Sequence, residues 1–274
     1  MELPLISSFR TAAFRAALGA LAVLLAVLSL HSARRVPPAP PAAPRVPVIV
    51  ELFTSEGCSD CPPADALLAQ LDRQQPVEGA LIIPLEEHVD YWDNQGWRDP
   101  FSSSIFTDRQ QLYARRFGDG PYTPQMVVDG TAGFVGSRSS KALAAITAAE
   151  HVPQAAVSLA VSPGKDADSV LAAVRVDSFP AGVRDKAEVR LAVTEDELSS
   201  QVGAGENAGR HLVHRATVRK FQSAGHAEPG NPFSADVKIG LERGWKRANL
   251  HIVAFLEDRS TGQIFGAATA PVSP

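Results

Sequence analysis

Cysteine is nearly absent from this chain of 274 residues: Cys58 and Cys61 are the only two. That excludes the disulfide-dense scaffolds of small secreted domains, so whatever the pair does, it does alone. The sequence also lacks a nucleotide-binding glycine loop, a Ser-His-Asp arrangement, a zinc-binding helical motif and any internal repeat. An excess of basic charge is missing as well. The first 45 residues hold five Arg and one Glu, leaving 21 basic against 29 acidic side chains in the remainder, a net of −8. Nucleic acid is therefore not an expected partner. With 45% hydrophobic and 20% charged residues, the composition is that of a folded chain, enough for one large domain or two ordinary ones.

The first segment differs from the rest. Arg10 and Arg15 precede AALGALAVLLAVLSL (16–30), which carries no charge and is followed by Arg34 and Arg35. Fifteen apolar residues suit the core of an export signal better than a membrane span of about 20. Cleavage after Ala33 would set His31 where a small residue is wanted, so a cleaved signal and an uncleaved membrane anchor both fit. Either way the rest of the chain is expected outside the cytoplasm, periplasmic or secreted. VPPAPPAAPRVP (36–47) has six prolines in twelve positions and reads as a semi-rigid spacer.

VPVIVELF (46–53) is the pattern of a strand covered on both faces. The cysteines follow at once, and PPADALLAQLDRQQ from Pro62 reads as a helix with prolines in its first turn. GALIIPL (79–85) is a second buried strand. TDRQQLYARRFG (107–118) is a helix capped by Thr107 and Gln110 and stopped by Gly118. Two strands about a glycine turn (124–136) and a helix (137–151) complete a βαβαββα order. Beyond about residue 155, seven strand-like runs and no convincing helix predict an all-β, Ig-like sandwich. The expected organisation is an export signal or anchor (1–35), a proline-rich linker (36–46), an α/β domain (47–152) carrying an insertion (86–106), and a β-sandwich (153–274).

A strand running through C-x-x-C into a helix sets Cys58 at a helix N-terminus, where free N–H groups favour a thiolate, with Cys61 a turn away to resolve a mixed disulfide. Glu56, Asp60 and Asp65 surround the pair, and no Lys or Arg follows until Arg73. Acidic neighbours disfavour the thiolate, which predicts a mildly reducing or neutral poise rather than a strong oxidant. As a staple, a loop of about four residues contributes only about 2 kcal/mol.

The C-x-x-C, the βαβαββα order and YTPQMVVDG (122–130) together resemble the thioredoxin fold over roughly residues 46–150. In thioredoxin-like proteins the proline before that strand is cis and faces the cysteines. Thr123 and Pro124 match it, and the resemblance implies that they hold the backbone of an extended substrate. It also implies a buried proton-relaying acid near Glu51, although the spacing to Cys58 is one residue longer than usual; a salt-bridged Glu51 fits the residues equally. More specifically, TSEGCSDCPPAD, HVDYWDNQGWRDPFSS, YTPQMVVDG and GENAGRHLVHRATVRKF are similar to an uncharacterised family of exported bacterial thioredoxin-like proteins, known only as a domain of unknown function. That resemblance covers nearly everything after residue 45 and supplies no reaction.

The insertion EEHVDYWDNQGWRDPFSSSIF (86–106) holds Tyr91, Trp92, Trp97, Phe101 and Phe106 with Glu86, Glu87, Asp90, Asp93 and Asp99. It reads either as a substrate platform beside the cysteines or as a small satellite core. His88 opens a copper alternative, because two thiolates and an imidazole can hold Cu(I). His211 and His214 lie three apart on one expected strand, hence on opposite faces, which argues against a shared metal. Glu206, Asn207 and Arg210 fit a polar contact with the α/β half or a ligand.

The reading as a whole is a thiol-disulfide oxidoreductase acting on protein thiols or disulfides without a cofactor or metal. Cys58 attacks, Cys61 resolves, Thr123 and Pro124 align the substrate, and Glu51 moves the proton. The alternatives are a binding protein with a permanently closed disulfide and a copper-handling protein using Cys58, Cys61 and His88.

Overall fold

The computed structural model describes residues 44–272. The expected export segment and residues 36–43 of the linker lie outside them.

Strand β1 (Val46–Thr54) is buried on both faces, as its apolar run requires. Val48, Val50 and Leu52 pack on Ala64, Leu68 and Leu71 of helix α1 (Pro62–Gln74), while Ile49 faces the other side with Ile83, Leu85 and Phe106. Strand β2 (Ala80–His88) runs parallel to β1 from Val46↔Ala80 to Thr54↔His88. Helix α2 (Ser104–Phe117), strands β3 (Gln125–Val128) and β4 (Ala132–Val135), and helix α3 (Ser139–Ala149) follow, giving the βαβαββα order.

Two boundaries differ from the sequence reading. Helix α2 is capped by Ser103, whose hydroxyl accepts from Ile105 N, rather than by Thr107, and Thr107 instead donates to Asp90 Oδ1 at 2.6 Å. Gly118 ends it in the left-handed region at φ 75°, as its type predicts. Strand β2 continues through Glu86, Glu87 and His88, which the insertion was expected to contain. Their polarity conceals a strand, and all three are buried, Glu86 and His88 hydrogen-bonded to Thr217 and Asp99 and Glu87 lying 3.6 Å from Arg109.

The later residues form β5 (Ala156–Pro163), β6 (Ser169–Ser178), β7 (Ala187–Glu195), β8 (Leu198–Gln201), β9 (His211–His214), β10 (Thr217–Ala227), β11 (Phe233–Gly240), β12 (Leu250–Glu257) and β13 (Ile264–Pro271). A two-layer packing is present: β11-β6-β5 stacks on β7, β10, β12 and β13 across Val174, Val176, Leu191, Ile252 and Leu256. The larger layer, however, is not a sheet of its own. It belongs to one eight-stranded sheet, β13-β12-β7-β10-β2-β1-β3-β4, whose seam is a parallel β10–β2 pairing at Thr217↔Glu86. The molecule is thus a mixed α/β fold built on one large sheet with three α-helices among the described residues.

The run RHLVHRATVRKF, read as one strand, is broken at Ala216, which lies in the left-handed region at φ 55°. Its first part pairs with β8 as a separate hairpin, and only its second part joins the sheet. Ala216 O accepts from Glu86 N at the seam, and the loop 202–210 of the hairpin reaches the cysteines.

Candidate functional site

Cys58 and Cys61 form a disulfide with Cα atoms 5.4 Å apart. Cys61 occupies the N-cap of α1, with Pro62 and Pro63 in the first turn, so Cys58 stands one turn before the helix start rather than on it. The turn is held by Cys58 N donating to Ser55 O and Cys61 N donating to Cys58 O.

The pair is covered, with Cys58 2% and Cys61 0% exposed. Asn207, from the loop between β8 and β9, donates its amide to Glu56 O at 2.8 Å and to Cys58 O at 2.9 Å. Beside it, Glu206 accepts from Ser59 N at 3.0 Å. Of the two uses that fit this segment, a polar contact or a ligand, Asn207 and Glu206 make the contact, and it falls on the cysteine turn itself. Arg210 is exposed, its backbone joined to Val202.

The Thr123–Pro124 bond is cis. Trp92 connects this loop to the cysteine turn: its Nε1 donates to Thr123 Oγ1 at 2.8 Å, and a Cβ on Gly57 would come within 3.1 Å of its own Cβ. Trp97 Nε1 donates to Glu56 Oε2 at 2.8 Å. Trp92 packs with Phe53, Val89, Tyr113 and Val127 in a small core, so the insertion's tryptophans serve the architecture of the site.

Behind the turn lies a buried polar cluster. Glu56 meets His214 Nε2 at 3.0 Å and accepts from Ser200 Oγ. Glu86 meets His214 Nδ1 at 3.3 Å and accepts from Thr217 Oγ1 at 2.7 Å. His88 Nδ1 lies 2.7 Å from Asp99, which also accepts from Glu56 N. Burial opposes ionisation of Glu86, but the neighbouring His214 more than offsets it and holds the carboxyl at about 2. His214 is disfavoured as a cation by burial yet raised to about 9 by Glu86 and Glu56. Asp65, one turn after Cys61, accepts from Thr54 Oγ1; burial, with Glu86 adding to it, raises its carboxyl to about 7. His88 thus faces Asp99, Glu86 and His214, and no cysteine belongs to its set of neighbouring ligand atoms.

Glu51 is not brought to the cysteines' side of the sheet. β1 turns Val50 and Leu52 toward α1, and Glu51 between them points to α2. There it pairs with Arg109 Nε and accepts from Tyr113 OH at 2.5 Å, while Arg109 also reaches Glu257 at 2.6 Å. The salt-bridged alternative describes this residue.

A family profile described as a protein of unknown function, DUF1223, matches residues 49–257. The chain belongs to this family. A DUF1223 chain of this length has solved structural relatives. A crystal structure of a protein from Agrobacterium tumefaciens, 26% identical, aligns with a TM-score of 0.64 over 85% of this chain and 97% of the other. HBP35 of Porphyromonas gingivalis, 16% identical, aligns with a TM-score of 0.59 over 84% of this chain and 76% of its own, a likeness of fold alone. No curated protein matches the sequence. Among the described residues, no helix is long and apolar enough to cross a membrane.

Two residues of the site escape a reading by local pattern. His214 is set aside because His211 lies on the opposite face, and the hairpin indeed exposes His211 and buries His214. The alternation that separates the pair is also the signal that one of them points inward. Asp65 looks like an ordinary first-turn acid; only its burial sets it apart.

Proposed function

We propose that this DUF1223 protein is an extracytoplasmic, thioredoxin-like thiol-disulfide oxidoreductase acting on protein thiols or disulfides. The observation that carries the reading is the C-x-x-C disulfide at the start of α1, joined through Trp92 to the Thr123–Pro124 loop. In the reduced protein the Cys58 thiolate attacks a substrate disulfide, forming a mixed disulfide and releasing one substrate thiolate. The Cys61 thiolate then attacks Cys58 Sγ, closing the Cys58–Cys61 bond and releasing the second; run backwards, the same steps oxidise a substrate dithiol. Thr123 and Pro124 offer backbone groups to the substrate, and the carboxyl one turn from Cys61 is Asp65. The charge and hydrophobicity pattern of residues 1–35 supports export, and export supports a persistent disulfide.

A second reading is favoured by one observation. The disulfide is buried under Asn207, as suits a binding protein whose bridge stays closed. The equilibrium reduction potential, measured by alkylation and mass spectrometry in glutathione and dithiothreitol buffers, separates the two. A value in the range of roughly −120 to −270 mV supports exchange, and one below about −300 mV supports the closed bridge. With exchange established, Cys61→Ser traps mixed disulfides through Cys58.

A further inference from the structure

Behind the cysteine turn, two imidazoles and a carboxylate converge in a way that thiol exchange does not use. Glu86 and His88 are two residues apart at the end of β2 and so share one face; His214 arrives from the end of β9. His88 Nε2 is 3.6 Å from Glu86 Oε2, and His214 Nδ1 is 3.3 Å from Glu86 Oε1. One ligand atom from each of the three lies within 4.8 Å of the others. A tetrahedral ion with ligands at about 2.0–2.1 Å sets their mutual distances near about 3.4 Å, so each imidazole already lies at about that distance from one of the two Glu86 oxygens. His88 Nε2 is wholly buried and has no hydrogen-bond partner among the described residues. A buried ring nitrogen left unpaired is a cost that a ligand removes.

The outer contacts have the matching form. Each histidine turns its far nitrogen to a carboxylate, His88 Nδ1 to Asp99 at 2.7 Å and His214 Nε2 to Glu56 at 3.0 Å. A far-side N–H donated to a carboxylate fixes the tautomer and ring plane and leaves the near nitrogen's lone pair for a metal. Three carboxyl groups, from Glu56, Glu86 and Asp99, are buried around only two imidazoles, an imbalance that a divalent cation corrects. We propose that Glu86, His88 and His214 bind a divalent cation of the zinc class, with Asp99 and Glu56 orienting the imidazoles. Two nitrogens and one carboxylate oxygen, without thiolate, suit Zn²⁺ rather than Cu(I) or Ca²⁺. The competing arrangement is two protonated histidines in internal ion pairs.

The test uses the full chain with its disulfide oxidised, refolded from guanidinium in excess Zn²⁺ so that the buried site can load, then gel-filtered and measured for metal by mass spectrometry. One zinc per chain is expected, retained in Cys58→Ser/Cys61→Ser and lost in His88→Ala/His214→Ala. Asp99→Asn is expected to weaken binding about 10–100-fold. Refolding the wild-type chain with Co²⁺ gives a reading independent of the variants, since nitrogen–oxygen coordination in four or five positions produces a visible absorption band. The proposal is overturned by sub-stoichiometric zinc together with no cobalt band in the folded wild type, by zinc that survives loss of both histidines, or by zinc that disappears with the cysteines. None of these outcomes bears on the reduction potential, so the metal site and the redox reading stand or fall separately.

Discussion

Asn207 ties the hairpin loop to the cysteine turn. Its amide donates to the carbonyls on both sides of Gly57, those of Glu56 and Cys58, and each bond contributes about 1 kcal/mol net. Asn207→Ala is therefore expected to lower stability by about 1–2 kcal/mol and to speed reduction of the disulfide by dithiothreitol about tenfold, followed by alkylation. An unchanged rate would show that the hairpin loop does not limit access. Asp129 carries a different prediction. Burial raises its carboxyl to about 7, against hydrogen bonds from Ile49 N and Gln154, with Glu51 adding to the rise. The folded value lies above the unfolded value of 3.8, so the native state holds the extra proton between them. That contribution is complete below pH 4 and is lost as pH rises to about 7, at up to about 1.36 kcal/mol per unit. Asp129→Asn should remove this fall: urea unfolding at pH 5 and pH 8 should show a smaller loss in the variant than in the wild type. At this scale the sequence reveals what is local. Cys58, Cys61, Thr123 and Pro124 sit in short motifs that announce themselves. Asn207 and His214 reach the site across 151 and 158 residues of chain, and no window of sequence contains both ends of such a contact.

Between elements, the turns carry the tightest fits. Gly130, in the turn joining β3 to β4, has φ 63°, and a Cβ there would meet Gly262 O at 1.9 Å, a backbone atom that cannot turn aside. Ile264 N donates to Asp129 O beside it, so this turn interlocks with the one entering β13. Gly118, which ends α2, has φ 75° with nothing within 4 Å of the same position. Alanine at 118 meets only the backbone penalty of about 1 kcal/mol, whereas alanine at 130 adds a clash and should cost about 2–4 kcal/mol. Equal shifts in the urea midpoints of the two variants would refute the interlock. Elements were legible where periodicity was unbroken, as in β1 and α1. They were not where a strand ended in charge, as β2 does at Glu86, Glu87 and His88, or where a left-handed Ala216 bent one apparent strand into two. In both places the deciding partner belongs to another part of the chain.

For the whole molecule, the question is whether residues 47–152 and 153–274 fold as two units or one. One core layer joins Ile49, Ile83 and Leu85 from the first half to Ala192, Val218, Val253 and Phe255 from the second. Arg109 binds Glu51 on one side and Glu257 on the other, so separating the halves breaks a buried ion pair that crosses between them. The eight-stranded sheet would also lose its seam, the pairing of β10 with the charged end of β2 at Thr217 and Glu86. Each large apolar side chain of that shared layer contributes about 1.5–3 kcal/mol by its burial, so several together are comparable to the whole stability of an ordinary domain, about 5–15 kcal/mol, and the halves are expected to unfold together. Calorimetry on the full chain should give one transition whose calorimetric and van't Hoff enthalpies agree, and a chain ending at residue 152 should show no cooperative melt. Two resolved transitions, or a cooperative 44–152 fragment, would mean that the seam at Thr217 and Glu86 is a docking contact between autonomous domains. The hairpin that covers Cys58 could then leave with its domain, and access to the disulfide would be set by domain separation rather than by Asn207.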